Sequence, residues 1–171
     1  MSMETNPILQ EIDSFSKLFT GRQQEFYEQM LKDAKAVKIS SVYDVFTPEE
    51  IKTIKRTIMP KKKMCYKNAS LLAKTYMGRQ KGIKYCEGKT TIFKGFSYDH
   101  AFNKVGDRYF DITMEIALGK SFDEIKDEYY VVLVECDMQE LIDAEIHSGV
   151  YGNVYAQRFI ESNIRKESVL Q

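Results

Sequence analysis

The chain has 171 residues, 43% hydrophobic and 29% charged, with 25 basic side chains against 25 acidic ones. That length suits one domain with a sizeable core, and the balance is that of an ordinary soluble globule rather than a disordered chain. A formal net charge of zero gives no general reason to bind nucleic acid or an anionic membrane, and no apolar run approaches membrane-spanning length.

The first ten residues lack the basic stretch and apolar core of a secretory signal, so none is expected. Residues 6–37 then read helical, with Asn6 as cap and Pro7 in the first turn. Ile8, Ile12, Phe15, Leu18 and Phe19 recur at helical spacing, as do Phe26, Met30 and Ala34, and Gly21 can divide the stretch into two helices. Thr47, Pro48 and Glu50 combine a cap, a first-turn proline and the acid of a capping box. Their helix runs through Ile51, Ile54 and Ile58 and stops before Pro60. The next helix is expected from Met64 to Gly78, with Cys65, Ala69, Leu72 and Tyr76 on its inward stripe.

After Gly82 the pattern changes to strands, at residues 83–87, 90–93, 100–105, 108–113 and 129–136. A short helical turn is expected over 121–125. Asp137 can cap a helix through Ile146 that ends at Gly149, and a last helix over 153–164 precedes a polar tail. Helices first and an antiparallel sheet afterwards predict an α+β chain, one domain over 1–171. Its parts are a helical region 1–60, a core 61–136, C-terminal helices 137–165 and a tail 166–171.

Cys65, Cys86 and Cys136 are odd in number and scattered, with no CxxC pair. Neither a disulfide framework nor a structural zinc site is expected, and a reducing cytoplasm is the simplest compartment. Cys86 and Cys136 read as packing residues. His147, near a helix C-terminus, is a favourably placed cation without a catalytic role.

Cys65, His100 and Asp111 are different. A thiol, an imidazole and a carboxylate are the parts of an activated nucleophile: attacker, base, and a group that orients the base. A two-residue turn at Gly106 and Asp107 would pair Val105 with Arg108, Lys104 with Tyr109, Phe102 with Asp111 and His100 with Thr113. Alternation then puts His100 and Asp111 on one face as diagonal neighbours; a three-residue turn would separate them. Cys65 opens a helix, where free N–H groups lower a thiol's pKa and can hold a developing oxyanion. Each residue also has a plainer role. A free Cys is usually a small core hydrophobe, a lone strand His a satisfied structural residue, and an Asp a strand-end acceptor. Lys61, Lys62 and Lys63, with Lys55 and Arg56, fit a solvated loop; an anion patch for a phosphate, an acidic peptide or RNA is the other use of such a run.

In four segments the sequence resembles the transglutaminase-like branch of the papain-like cysteine hydrolases, most of all small bacterial and phage members. They are Cys65-Tyr66-Lys67-Asn68-Ala69, Tyr85-Cys86-Glu87-Gly88, His100-Ala101-Phe102-Asn103 and Asp111-Ile112-Thr113. Such proteins usually carry Trp where Phe102 stands and often Pro where Ile112 stands; neither change removes a reactive group. The resemblance spans residues 64–113 and implies a nucleophile-bearing helix packed on an antiparallel sheet. It implies Cys65 as nucleophile, His100 as base and Asp111 as its orienting acid. Asn68 and Glu87 are supporting or oxyanion candidates.

The expected function is thus a thiol hydrolase or acyl transferase (protease, amidase, deamidase or transglutaminase-like) that needs no metal or organic cofactor. Its partner would be a protein, a peptide or a small amide or acyl substrate. The alternative is a non-enzymatic interaction protein, phage-encoded for instance, on the same scaffold. Nucleic acid is not expected, the lysine run being its only hint, and neither is a membrane.

Overall fold

The computed structural model describes residues 6–91 and 96–169. It opens with α1 (Pro7–Leu18) and α2 (Arg22–Asp33). Asn6 caps α1: its Oδ1 accepts from the N–H of Ile8 at 3.0 Å and of Leu9 at 3.3 Å. Gly21, at φ +62°, makes the turn between the two helices, a conformation that penalises any residue with a Cβ. The helical stretch does not reach Val37. Residues Lys35–Val37 form β1, because their backbone pairs with Val132, Val131 and Tyr130 far along the chain. A single turn, α3 (Val42–Val45), has no counterpart in the sequence reading. Then α4 (Pro48–Thr57) carries the complete capping box of Thr47 and Glu50.

The helix expected over 64–78 is two helices, α5 (Cys65–Lys74) and α6 (Tyr76–Lys81). Thr75 between them is extended, and its hydroxyl accepts from the N–H of Gly78 at 2.9 Å. Gly78 is therefore no terminator. It is the point where α6 presses on α5, since a Cβ there would lie 2.1 Å from the Leu72 carbonyl oxygen. Tyr76 consequently leaves the inward stripe and is exposed.

Four more strands follow: β2 (Lys84–Thr90), β3 (Tyr98–Val105), β4 (Arg108–Phe110) and β5 (Tyr130–Cys136). The separate strand expected over 90–93 is not formed at its start, where Thr90 ends β2; Ile92 and Phe93 lie outside the described residues. The strand expected over 108–113 stops at Phe110, and a π-helical turn, Thr113–Ala117, takes over. A 3-10 turn, Phe122–Glu124, occupies the predicted position. α7 (Met138–Ser148) is capped by Asp137 and closed by Gly149 at φ +71°, and α8 (Val154–Val169) runs past the expected end.

The strands form one antiparallel half-barrel in the order β1-β5-β2-β3-β4. The chain is mixed α+β, as its patterning predicts. On one face of the sheet, Ala69 and Ala73 of α5 join Tyr85, Ala101 and Val134 in a core that also takes Ile8 and Ile12 of α1. On the other, Cys86, Phe102, Tyr130 and Val132 pack with Tyr109, Met114 and Ile125. A third cluster joins Ile51 and Ile54 of α4 to Leu72, Phe110 and Ile112. These clusters fix where α5 begins and where β4 ends, and the two points face each other. No helix among the described residues is long and apolar enough to cross a membrane.

Candidate active site

The turn between β3 and β4 has the two-residue form, with Val105 opposite Arg108, Lys104 opposite Tyr109 and Asn103 opposite Phe110. The ladder then ends one residue before Asp111, so Phe102 and His100 have no partners in β4. Asp111 has turned out of the strand. Its Oδ1 accepts from the N–H of Thr113 at 2.9 Å and of Met114 at 3.1 Å, which fastens the π-helical turn. Its Oδ2 meets His100 Nε2 at 2.6 Å and accepts from the Tyr130 hydroxyl at 3.1 Å. The expected contact between His100 and Asp111 is thus made by a capping turn, not by cross-strand neighbours.

Both residues are buried, His100 at 1% exposure and Asp111 at 0%. A buried carboxylate is tolerated only when its lone pairs are filled, and four donors fill these. Three rings fix the imidazole plane: Phe102 stacks on it at 6.3 Å, and Tyr98 and Tyr130 meet it edge-on at 5.7 and 6.3 Å. With Nε2 committed to Asp111, Nδ1 is the free nitrogen, buried and without a hydrogen bond.

Cys65 lies on that side. It is the first residue of α5 and half-buried. Burial pushes its thiol up, but the His100 ring and the N–H groups of Ala101 and Tyr66 outweigh burial, and the net shift is downward. Burial would lower His100; the Asp111 carboxylate and then the Cys65 sulfur reverse this and push the ring up to about 10. The two shifts favour thiolate beside imidazolium. Cys65 and His100 act on each other electrostatically, although Nδ1 has no hydrogen-bond partner. Cys86 and Cys136 contrast with it: both are buried, and burial raises both thiols, Cys136 to about 12.

Asn68, one turn along α5, holds the approach to Cys65. Its Oδ1 accepts from the Lys61 N–H at 3.0 Å, and its Nδ2 donates to the Lys61 carbonyl at 2.8 Å and to Thr113 Oγ1 at 3.0 Å. It binds together the loop before Cys65 and the turn after Asp111. Glu87 does other work. It accepts from the Tyr85 hydroxyl at 2.8 Å and from the N–H groups of Val154 and Tyr155 at 2.9 and 3.0 Å, tying the start of α8 to β2. An oxyanion role fits neither side chain, since the donors of Asn68 are taken and Glu87 is an acceptor. The Cys65 N–H, which helix geometry leaves without an intrahelical acceptor, remains the candidate for that role.

Comparison of the chain with family models, curated proteins and solved structures found no match.

The cleft over these residues has a volume of about 460 Å³. Tyr66, Tyr98, Met114 and Leu118 wall it, Cys65, His100 and Thr113 lie within it, and Lys62, Lys63 and Asp99 edge it. Among the described residues no group of three His, Cys, Asp or Glu side chains gathers as a metal would require. His147 is in the last turn of α7 and lines a different surface hollow, between α7 and α8.

Tyr130 is the participant the sequence does not reveal. It is opposite Thr90 of β2, which in turn is opposite Tyr98 of β3, and the register between β2 and β5 shifts at Glu87 and Gly88. Alternation along one strand cannot carry an inference across that irregularity.

Proposed function

We propose that the chain is a cysteine-nucleophile hydrolase or acyl transferase that cleaves an amide or peptide-type bond on a papain-like scaffold. The observation that carries this reading is the buried His100–Asp111 pair at 2.6 Å, which leaves one ring nitrogen for the half-buried thiol of Cys65 at a helix start. A structural histidine has no need of a carboxylate with four donors, three aromatic neighbours and an unused nitrogen beside a thiol.

In the first step the Cys65 thiolate adds to the carbonyl carbon, and the oxygen gains charge against the Cys65 N–H. The C–N bond then breaks. His100 gives its Nδ1 proton to the leaving amine, and a thioester joins the acyl group to sulfur. Water or a second amine next loses a proton to His100, attacks the thioester carbon and expels the thiolate. Water gives hydrolysis and an amine gives transfer. Asp111 stays ionised throughout and keeps the Nε2 proton in place.

The test is covalent capture. A peptidyl acyloxymethyl ketone should add one label per chain, at Cys65, and His100→Ala should slow the addition at least tenfold. Labelling spread evenly over Cys65, Cys86 and Cys136 would remove the nucleophile and leave an interaction protein on this scaffold.

A further inference from the structure

We infer that this cleft selects an acyl group carrying a large apolar side chain followed, away from the scissile bond, by a carboxylate that Lys62 and Lys63 receive. The inference rests on the thiol-hydrolase reading of Cys65 and goes beyond it to the substrate.

The apolar half follows from the walls. Tyr66, Tyr98, Met114 and Leu118 are the apolar walls of a cleft whose whole volume, about 460 Å³, has room for an aromatic or long aliphatic side chain. Transfer of such a side chain from water to these walls is favourable.

The charged half follows from the loop before Cys65. Asn68 grips both backbone groups of Lys61. Lys63 is held at φ +61°, a left-handed conformation uncommon for a residue with a side chain. A freely solvated loop has no reason to keep that strain; here it puts Lys62 and Lys63 on the edge of the cleft. Neither has an acidic partner among the described residues, whereas Lys74, Lys81, Lys89, Lys104 and Lys126 are each paired with one. Asp99, the carboxylate on the same edge, is bound to Lys89 at 2.8 Å. Two unpaired cations therefore face a cleft whose own anion is neutralised, and the net charge of zero for the whole chain conceals this local excess.

Orientation decides which part of the substrate they meet. The leaving nitrogen must lie toward His100, which protonates it. The lysine loop leads through Met64 to the Cys65 N–H, the donor proposed above for the acyl oxygen. The lysines thus serve the acyl side.

Two matched ketone probes test this: succinyl-Phe and propionyl-Phe acyloxymethyl ketones, which differ by one carboxylate. The second-order rate of Cys65 labelling is read by intact mass at 20 mM and 500 mM NaCl. Succinyl-Phe should react about five- to tenfold faster at low salt, the scale of two exposed charge contacts, and the ratio should shrink at high salt. In Lys62→Gln/Lys63→Gln the ratio should fall to near one. Equal rates for the two probes, both at Cys65, would overturn the carboxylate preference and leave the thiol-hydrolase reading intact. A ratio unchanged in the double variant would overturn the assignment to these lysines. Failure of both probes to label Cys65 would overturn the hydrolase reading and this inference with it.

Discussion

The Tyr130 hydroxyl donates to Asp111 Oδ2, the same carboxylate oxygen that holds the His100 ring. Tyr130 is fully buried and comes from β5, two strands away from His100 in the sheet. The carboxylate is therefore shared between the His100 ring and the core.

Tyr130→Phe removes that donor and little else. A hydrogen bond to a charged acceptor contributes about 1.5–3 kcal/mol, which for a chain of this length corresponds to a fall in Tm of roughly 3–10 °C. Thermal unfolding measures it. Labelling of Cys65 should persist within about threefold, because Oδ2 keeps its bond to Nε2. An unchanged Tm would show that this bond contributes nothing to the fold.

Cys65 should alkylate with iodoacetamide at pH 6.5 faster than Cys86 or Cys136 by at least an order of magnitude. The other two thiols are buried and shifted upward, and Cys65 alone is shifted down. Peptide mapping after brief exposure distinguishes the sites. His100→Ala should slow the alkylation of Cys65, since the ring leads the groups that lower this thiol. Preferential labelling of Cys136 would contradict the assignment.

Asp111→Asn should reduce the rate of probe capture by a factor on the order of 10²–10⁴. An amide nitrogen facing Nε2 and the Tyr130 hydroxyl meets two donors with a third, and the ring loses the partner that fixes its tautomer. Some loss of Tm is expected too, because Asp111 also caps the turn at Thr113 and Met114. Capture should fall far more than the folded fraction at the assay temperature. Full capture by Asp111→Asn would make the arrangement a coincidence of packing.

Stability should depend on pH through His100, most simply in Cys65→Ala, where the coupled thiol is gone. The ring's folded pKa is raised above its ordinary value of 6.5, with Asp111 as the leading attractive group. A raised basic group binds its proton more tightly in the folded state, so its stabilisation is complete below about pH 6.5 and is lost as pH rises through its folded pKa, which in Cys65→Ala lies below the native chain's value of about 10 because the sulfur no longer raises it. The slope should approach about 1.4 kcal/mol per pH unit within that window. Urea unfolding of Cys65→Ala against Cys65→Ala/His100→Gln isolates it. In the native chain the slope should be flatter, because a thiolate formed beside the ring releases the proton that the ring takes up. Identical slopes for the two variants would show that His100 is neutral in the folded state.

Much of this arrangement is legible in the sequence, for local reasons. Asn6, Thr47 and Asp137 are caps whose side chains act within three residues, and Gly106 makes a turn between adjacent strands. What the sequence hides is set by distant partners. Residues Lys35–Val37 become a strand because β5 is there to pair with. The break at Thr75 follows from close packing of α6 on α5, which only Gly78 permits. Glu87 looks like a site residue by its spacing, yet its burial and its bonds to Val154 and Tyr155 give it to α8. The lysines of the cleft read as a solvated loop until the grip of Asn68 on Lys61 is seen.

The π-helical turn that begins at Thr113 supplies a wall of the cleft through Met114 and, through its N–H groups, holds the carboxylate that aims the base. Pocket shape and the setting of the His100 ring therefore share a few residues of backbone. Lineages carrying this site can diversify by exchanging the side chains at Met114 and Leu118, which reshape the wall and the core behind it but leave the backbone donors to Asp111 in place. They have far less room to lengthen or shorten the segment between Asp111 and Leu118, because any indel there moves the base along with the wall. Divergence in substrate preference should accumulate as point substitutions in this turn, and length variation should be displaced to other edges of the cleft.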